Sequence, residues 1–153
     1  MSTNTKTIVV RGNLNQYHDE FPADAALSPG HVLQKNSDGE VLKTTSAEGK
    51  AWNRLIAKEN ALLGATEDDA YAAADVVPVH VCQPGDIVRA FLTPGVSYAI
   101  GDQLILSDTA GQLKKLASVS SGVTVRKVVG EIRTALNLSA SGAVATKGEV
   151  FIY

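Results

Sequence analysis

Three of the five prolines in this chain stand directly before glycine, at Pro29-Gly30, Pro84-Gly85 and Pro94-Gly95. Proline presets φ for the first central position of a turn, and glycine accepts the positive φ that a type II turn needs at the second. Apolar, β-branched segments follow these pairs, so the chain must reverse often between short extended runs. That rhythm predicts an all-β or mostly β fold, a small barrel or sandwich. At 153 residues the chain suffices for one such domain with an additional arm.

The strands follow from alternation. Residues 31–35 and 40–44 flank "NSDG", whose Asp38-Gly39 pair signals a hairpin. Residues 76–82 ("VVPVHVC") place Val77, Val79 and Val81 on one face, and Pro78 on the opposite parity predicts an edge strand or a strand start. Further strands are expected at residues 86–92, 123–133 and 149–153, with another around residues 54–58. The stretch "IGDQLILSDTAGQLKKL" (100–116) echoes "PGHVLQKNSDGEVLK" (29–43), Gly30 answering Gly101, Leu33 answering Leu104 and Gly39 answering Gly111. Two copies are too few for a solenoid, so the echo reads as one hairpin design used twice.

One short helix is expected over residues 66–74. Thr66 is a candidate N-cap, Asp69 follows three residues later, and the carboxylates of Glu67, Asp68 and Asp69 suit the positive end of a helix dipole. Residues 139–148 are small and polar and read as a surface loop. Residues 1–26 differ in composition and form the expected amino-terminal arm, leaving residues 27–153 as the β-rich domain.

Composition excludes several function classes. A formal net charge of −2 creates no field for nucleic acid, and no apolar run approaches the length needed to span a bilayer. The start of the chain lacks the features of a signal peptide, and the single Cys82 cannot form an internal disulfide; synthesis in a cytoplasm is the expectation. His18, His31 and His80 lack metal-ligand spacing, and no phosphate-binding, dinucleotide or nucleophile-elbow motif occurs. No cofactor is implied. His80 and Cys82 share a strand face and Asp86, Asp102 and Asp108 recur near turns, which keeps a small ligand-binding or hydrolytic β-barrel as an alternative. The plainer reading makes Cys82 a buried thiol and these aspartates acceptors of nearby backbone N–H groups.

The order "ALLGATEDDAYAAAD", "VVPVHV", "QPGD" and "GDQL" resembles the head decoration, or cement, proteins of tailed phages across residues 61–111. The resemblance implies a β-rich, non-enzymatic virion protein on the capsid exterior. Such proteins often sit as homotrimers at three-fold or quasi-three-fold positions, clamping subunits of the major capsid protein together and stabilising the head. It also implies an amino-terminal arm that contacts the shell. In that role Ile8, Val9 and Val10 would add a strand to a sheet edge of the partner. Leu14, Tyr17 and Phe21 would serve as apolar anchors, or else pack back onto their own domain. A tail- or fibre-associated structural protein is the remaining alternative.

Overall fold

A computed structural model of the chain describes residues 7–12, 18–44, 54–116 and 128–153. In chain order, β1 (Val9–Arg11) precedes a group of five short strands: β2 (His18–Pro22), β3 (Val32–Lys35), β4 (Val41–Lys43), β5 (Leu55–Ala57) and β6 (Val76–Val81). These five form an antiparallel sheet in the order β2-β6-β5-β3-β4. The remaining strands are β7 (Ile87–Leu92), β8 (Ser97–Tyr98), β9 (Gln103–Leu106), β10 (Leu113–Lys115), β11 (Gly130–Ile132), β12 (Leu136–Asn137) and β13 (Thr146–Ile152).

Five of these close into a barrel, β7-β10-β9-β11-β13, because β13 pairs back onto β7 from Thr146↔Leu92 to Phe151↔Ile87. Val88, Ala90, Leu92, Leu104, Leu113, Ile132, Val150 and Ile152 are buried in one core. Their even spacing along each strand is the period-two pattern of a barrel interior. The β8–β12 ribbon adds Tyr98, Leu136 and Leu138 to this core. The mostly β expectation thus holds, and all three Pro-Gly glycines take positive φ, between 95° and 96°.

The second sheet uses both faces. Val32, Ile56 and, just beyond β6, Cys82 join the barrel core. Leu33, Val41, Leu55, Ala57, Val77 and Val79 build a separate cluster with Ala23, Leu27 and Tyr71. The two hairpins that echo each other are β3–β4 and β9–β10, in the same register: Leu33 faces Lys43 and Leu104 faces Lys115. They also meet. Val32 N–H donates to the Gly111 carbonyl at 2.9 Å, and Gly111 N–H donates to the Thr44 carbonyl at 2.7 Å. A Cβ on Gly111 would lie 2.8 Å from His31 Cδ2 and 3.1 Å from Lys43 Cβ, so this splice requires glycine.

Three sequence expectations are corrected. Residues 66–74 are not a helix; the one helical turn among the described residues is the 3-10 turn Ala61–Leu63. The capping chemistry does form, since Asp69 accepts the Thr66 N–H and hydroxyl at 2.7 and 2.8 Å. It closes only a single turn, because Tyr71, two residues on, is held in a bridge with Leu27 and cannot continue a helix. Pro78 lies in an interior strand, between β2 and β5, and not at an edge. Its carbonyl accepts from Lys58 N–H at 2.8 Å, while the Lys58 carbonyl, which Pro78 has no N–H to meet, accepts the Tyr71 hydroxyl at 2.6 Å. The expected loop at residues 139–148 ends early: β13 starts at Thr146, and Gly148 is buried against Leu92, Leu136 and Ile132.

Asp69, Asp75, Asp86 and Asp102 each close a turn in the same way. Each accepts the N–H three residues earlier at 2.7–2.8 Å, while its own N–H donates to that residue's carbonyl. In two of these turns the preceding residue is glycine at positive φ, but before Asp75 it is Ala74 at 69°. An L-residue pays for that conformation and glycine does not. Ala74→Gly is expected to stabilise the fold by ~0.5–1 kcal/mol, read as a higher urea midpoint with unchanged m-value.

Candidate interaction surfaces

Residues 7–11 and 18–26, read from the sequence as parts of an arm, are tied to both sheets here. β1 adds to the chain's own barrel through Val9↔Val88 and Arg11↔Ile87, and Arg89 N–H donates to the Ile8 carbonyl at 2.7 Å. Ile8 is buried in the barrel core, and its N–H donates to Glu59 Oε2 at 3.1 Å while the Thr7 hydroxyl reaches the other carboxylate oxygen. Val9 is half-buried and Val10 is 44% exposed. Phe21 lies in β2, half-buried, with the Lys35 ammonium 3.6 Å from its ring centroid. Ile8–Val10 and Phe21 thus belong to different sheets, with Ile8 turned into the core; Leu14 and Tyr17 lie outside the described residues.

The titratable residues of the hydrolytic alternative have partners within the fold. His80 Nε2 and Asp86 Oδ2 stand 2.9 Å apart with both side chains buried, and Asp86 also accepts the Gln83 N–H. Cys82 is buried, and burial, reinforced by the Asp86 carboxylate, pushes its thiol up, away from the reactive thiolate. Asp102 bonds Lys115 at 2.6 Å and Asp108 bonds Lys114, both on the β9–β10 hairpin. Among the described residues no cluster of His, Cys, Asp and Glu has the makings of a metal site.

His31 packs its ring on Phe91 at 4.5 Å between centroids, and Ser28 N–H donates to Nδ1 at 2.8 Å. Burial, then the Lys43 charge, pushes its pKa down to about 4 from 6.5. Its folded-state pKa lies below the unfolded value, so the unfolded chain binds the extra proton. The contribution is therefore full above pH 6.5 and is lost as pH falls towards 4. Urea titrations should show ~2 kcal/mol less stability near pH 4.5 than near pH 7, and a His31→Gln variant should flatten that slope.

Two features face outwards. The first is a cleft of about 310 Å³ where residues 67–68 lie against β7 and β13. Arg89 Nε meets Glu67 Oε2 at 2.9 Å; Lys147 Nζ donates to the Glu67 carbonyl and to Asp68 Oδ1, the latter at 3.2 Å. Cations and carboxylates are matched across it, which makes it a clamp on the 58–75 segment. The second is the tip of that segment. In the turn Ala61–Leu63, Leu62 is 94% and Leu63 83% exposed, and Gly64 ends the turn in the left-handed region. The sequence reading named the segment for its resemblance and its supposed helix but missed these leucines; their adjacency beside Gly64 was the available signal.

Neither the family models nor the curated proteins provide a match to this chain.

Proposed function

We propose that this chain is a non-enzymatic head decoration protein of a tailed phage, bound as a homotrimer to the outer surface of the major capsid protein shell and stabilising it. The observation that carries this reading is the pair of solvent-exposed leucines on a pinned turn, inside the segment whose sequence resembles the cement proteins. Monomeric soluble proteins seldom expose adjacent large apolar side chains on a fixed protrusion, and such features mark contact sites. A second support is β1, whose outer edge pairs with no other strand among the described residues and is suited to strand addition. Three copies acting together convert modest single contacts into firm attachment. The buried setting of His80, Asp86 and Cys82 offers no comparable support to a hydrolytic barrel.

The test is the thermal rupture of expanded heads with and without the purified protein, alongside its mass in solution. The reading expects a mass three times the 16.0 kDa of one chain and a saturable rise in rupture temperature. Heads that rupture at the same temperature at every protein concentration would remove it.

A further inference from the structure

The clamp on the 58–75 segment leaves the donors of Arg89 unused. The Arg89 side chain is only 20% exposed, yet none of its N–H groups has a hydrogen-bond acceptor among the described residues. Its Nε lies 2.9 Å from Glu67 Oε2, but the N–H is not aimed at that oxygen, so the contact is one of charge alone. Polar groups this far buried are nearly always hydrogen-bonded. Arg89 also lines the cleft of about 310 Å³, where an acceptor from outside the fold can reach it.

The rest of the lining defines the chemistry of that acceptor. Lys147, 8% exposed, is a second cation on the cleft wall. Its carboxylate partner Asp68 is 86% exposed and stands 3.2 Å away, an ion pair that solvent screens and an entering anion can replace. Phe91 and Ala145 form the apolar part of the wall, and the Phe91 ring is backed by His31 at 4.5 Å. A guanidinium matches the two oxygens of a carboxylate as a fork. Charge then selects among anions. Glu67 and Asp68 offset Arg89 and Lys147, so the cleft has no surplus to hold a doubly charged phosphate, whereas a monocarboxylate needs only the release of Asp68. The volume lies at the lower end of ligand pockets, which limits the body to a few carbon atoms or one ring.

We propose that the cleft between residues 67–68 and the strands β7 and β13 binds a small organic monocarboxylate. The Nη donors of Arg89 take its two oxygens, Lys147 exchanges Asp68 for it, and the Phe91 ring covers its hydrocarbon body. Glu67 stays on the Nε side and keeps the guanidinium in place. The site is separate from the Ala61–Leu63 turn, and it stands whether or not the protein attaches to phage heads.

The experiment titrates benzoate, its neutral isostere benzamide and inorganic phosphate into the isotope-labelled full chain, followed by NMR. Benzoate is expected to saturate with a dissociation constant on the order of 1 mM, as suits so small a ligand. It should shift the Arg89 guanidinium signal and the amides of residues 89–91 and 145–147. Benzamide and phosphate should bind about tenfold more weakly or worse. Arg89→Lys keeps a charge beside Glu67 but removes the fork, so it should weaken benzoate about tenfold. If that variant does not fold, the guanidinium signal of the unaltered chain decides. Shifts that never saturate would overturn the proposal, as would an Arg89 signal unmoved by saturating benzoate. Benzamide or phosphate binding as tightly as benzoate, or a folded Arg89→Lys variant with full affinity, would overturn it equally.

Discussion

Gly130→Ala is expected to cost more than ~3 kcal/mol and to leave little folded protein, because the barrel has no room for one methyl group at that point. A Cβ on Gly130 would lie 2.0 Å from the Phe151 carbonyl oxygen and 3.0 Å from its carbon. These are backbone atoms of β13, which is hydrogen-bonded to β11 through Gly130↔Ile152 and Glu131↔Phe151. Side chains can rotate away from such a contact, but a paired strand in a closed barrel can move only by breaking its ladder. Gly148 provides the internal comparison. Its added Cβ would meet the Cδ1 atoms of Leu92, Leu136 and Ile132 at 2.7–3.1 Å, the flexible ends of side chains. Gly148→Ala should therefore fold, at a cost of ~1–2 kcal/mol. Urea unfolding followed by circular dichroism orders the two variants; equal midpoints would contradict the account of the barrel wall.

Asp86→Ala is expected to destabilise the fold by ~3 kcal/mol without changing any surface contact. Asp86 closes the turn 83–86 on the Gln83 N–H and bonds His80 in the interior, and its backbone carbonyl receives Ile152 N–H at 2.9 Å. Alanine keeps the last of these and removes the first two, a turn-closing hydrogen bond and a buried contact of His80, losses of ~1–3 kcal/mol each. Asp86→Asn keeps an oxygen for one of them and should lose less than alanine. The same variant separates structure from chemistry: a hydrolytic barrel would lose turnover in Asp86→Asn out of proportion to stability, whereas the structural role moves stability alone. A midpoint for Asp86→Ala equal to that of the unaltered chain would refute the role of the buried pair.

The architecture was legible wherever local chemistry and tertiary pairing agree. The Pro-Gly glycines all take positive φ, two of the pairs in turns and Pro94-Gly95 in a bend; Val77 and Val79 share one buried face, and the repeated hairpins have matching registers. Readings failed where a distant partner decided the outcome. Thr66 and Asp69 form the contacts of a helix start, but the bridge between Tyr71 and Leu27 holds the following residues extended. Pro78 is tolerated in an interior strand because a tyrosine seven residues earlier in the chain satisfies the carbonyl it leaves open. Residues 8–10 read as a strand for a partner's sheet because the run is apolar and β-branched; β1 instead pairs with β7 of this chain, with Ile8 in the barrel core, and apolarity alone does not say whose sheet a strand joins. The Leu62–Leu63 tip escapes a sequence reading for the opposite reason: leucines are normally taken for core, and their adjacency beside Gly64 is a weak signal against that.

The central claim is attachment of this protein to the outside of a phage head, and an image reconstruction of expanded heads saturated with it tests that claim most directly. The account predicts three-lobed density on the outer surface at three-fold or quasi-three-fold positions, with the turn Ala61–Leu63 against the shell. A shell with bare outer surfaces under saturating protein would contradict it.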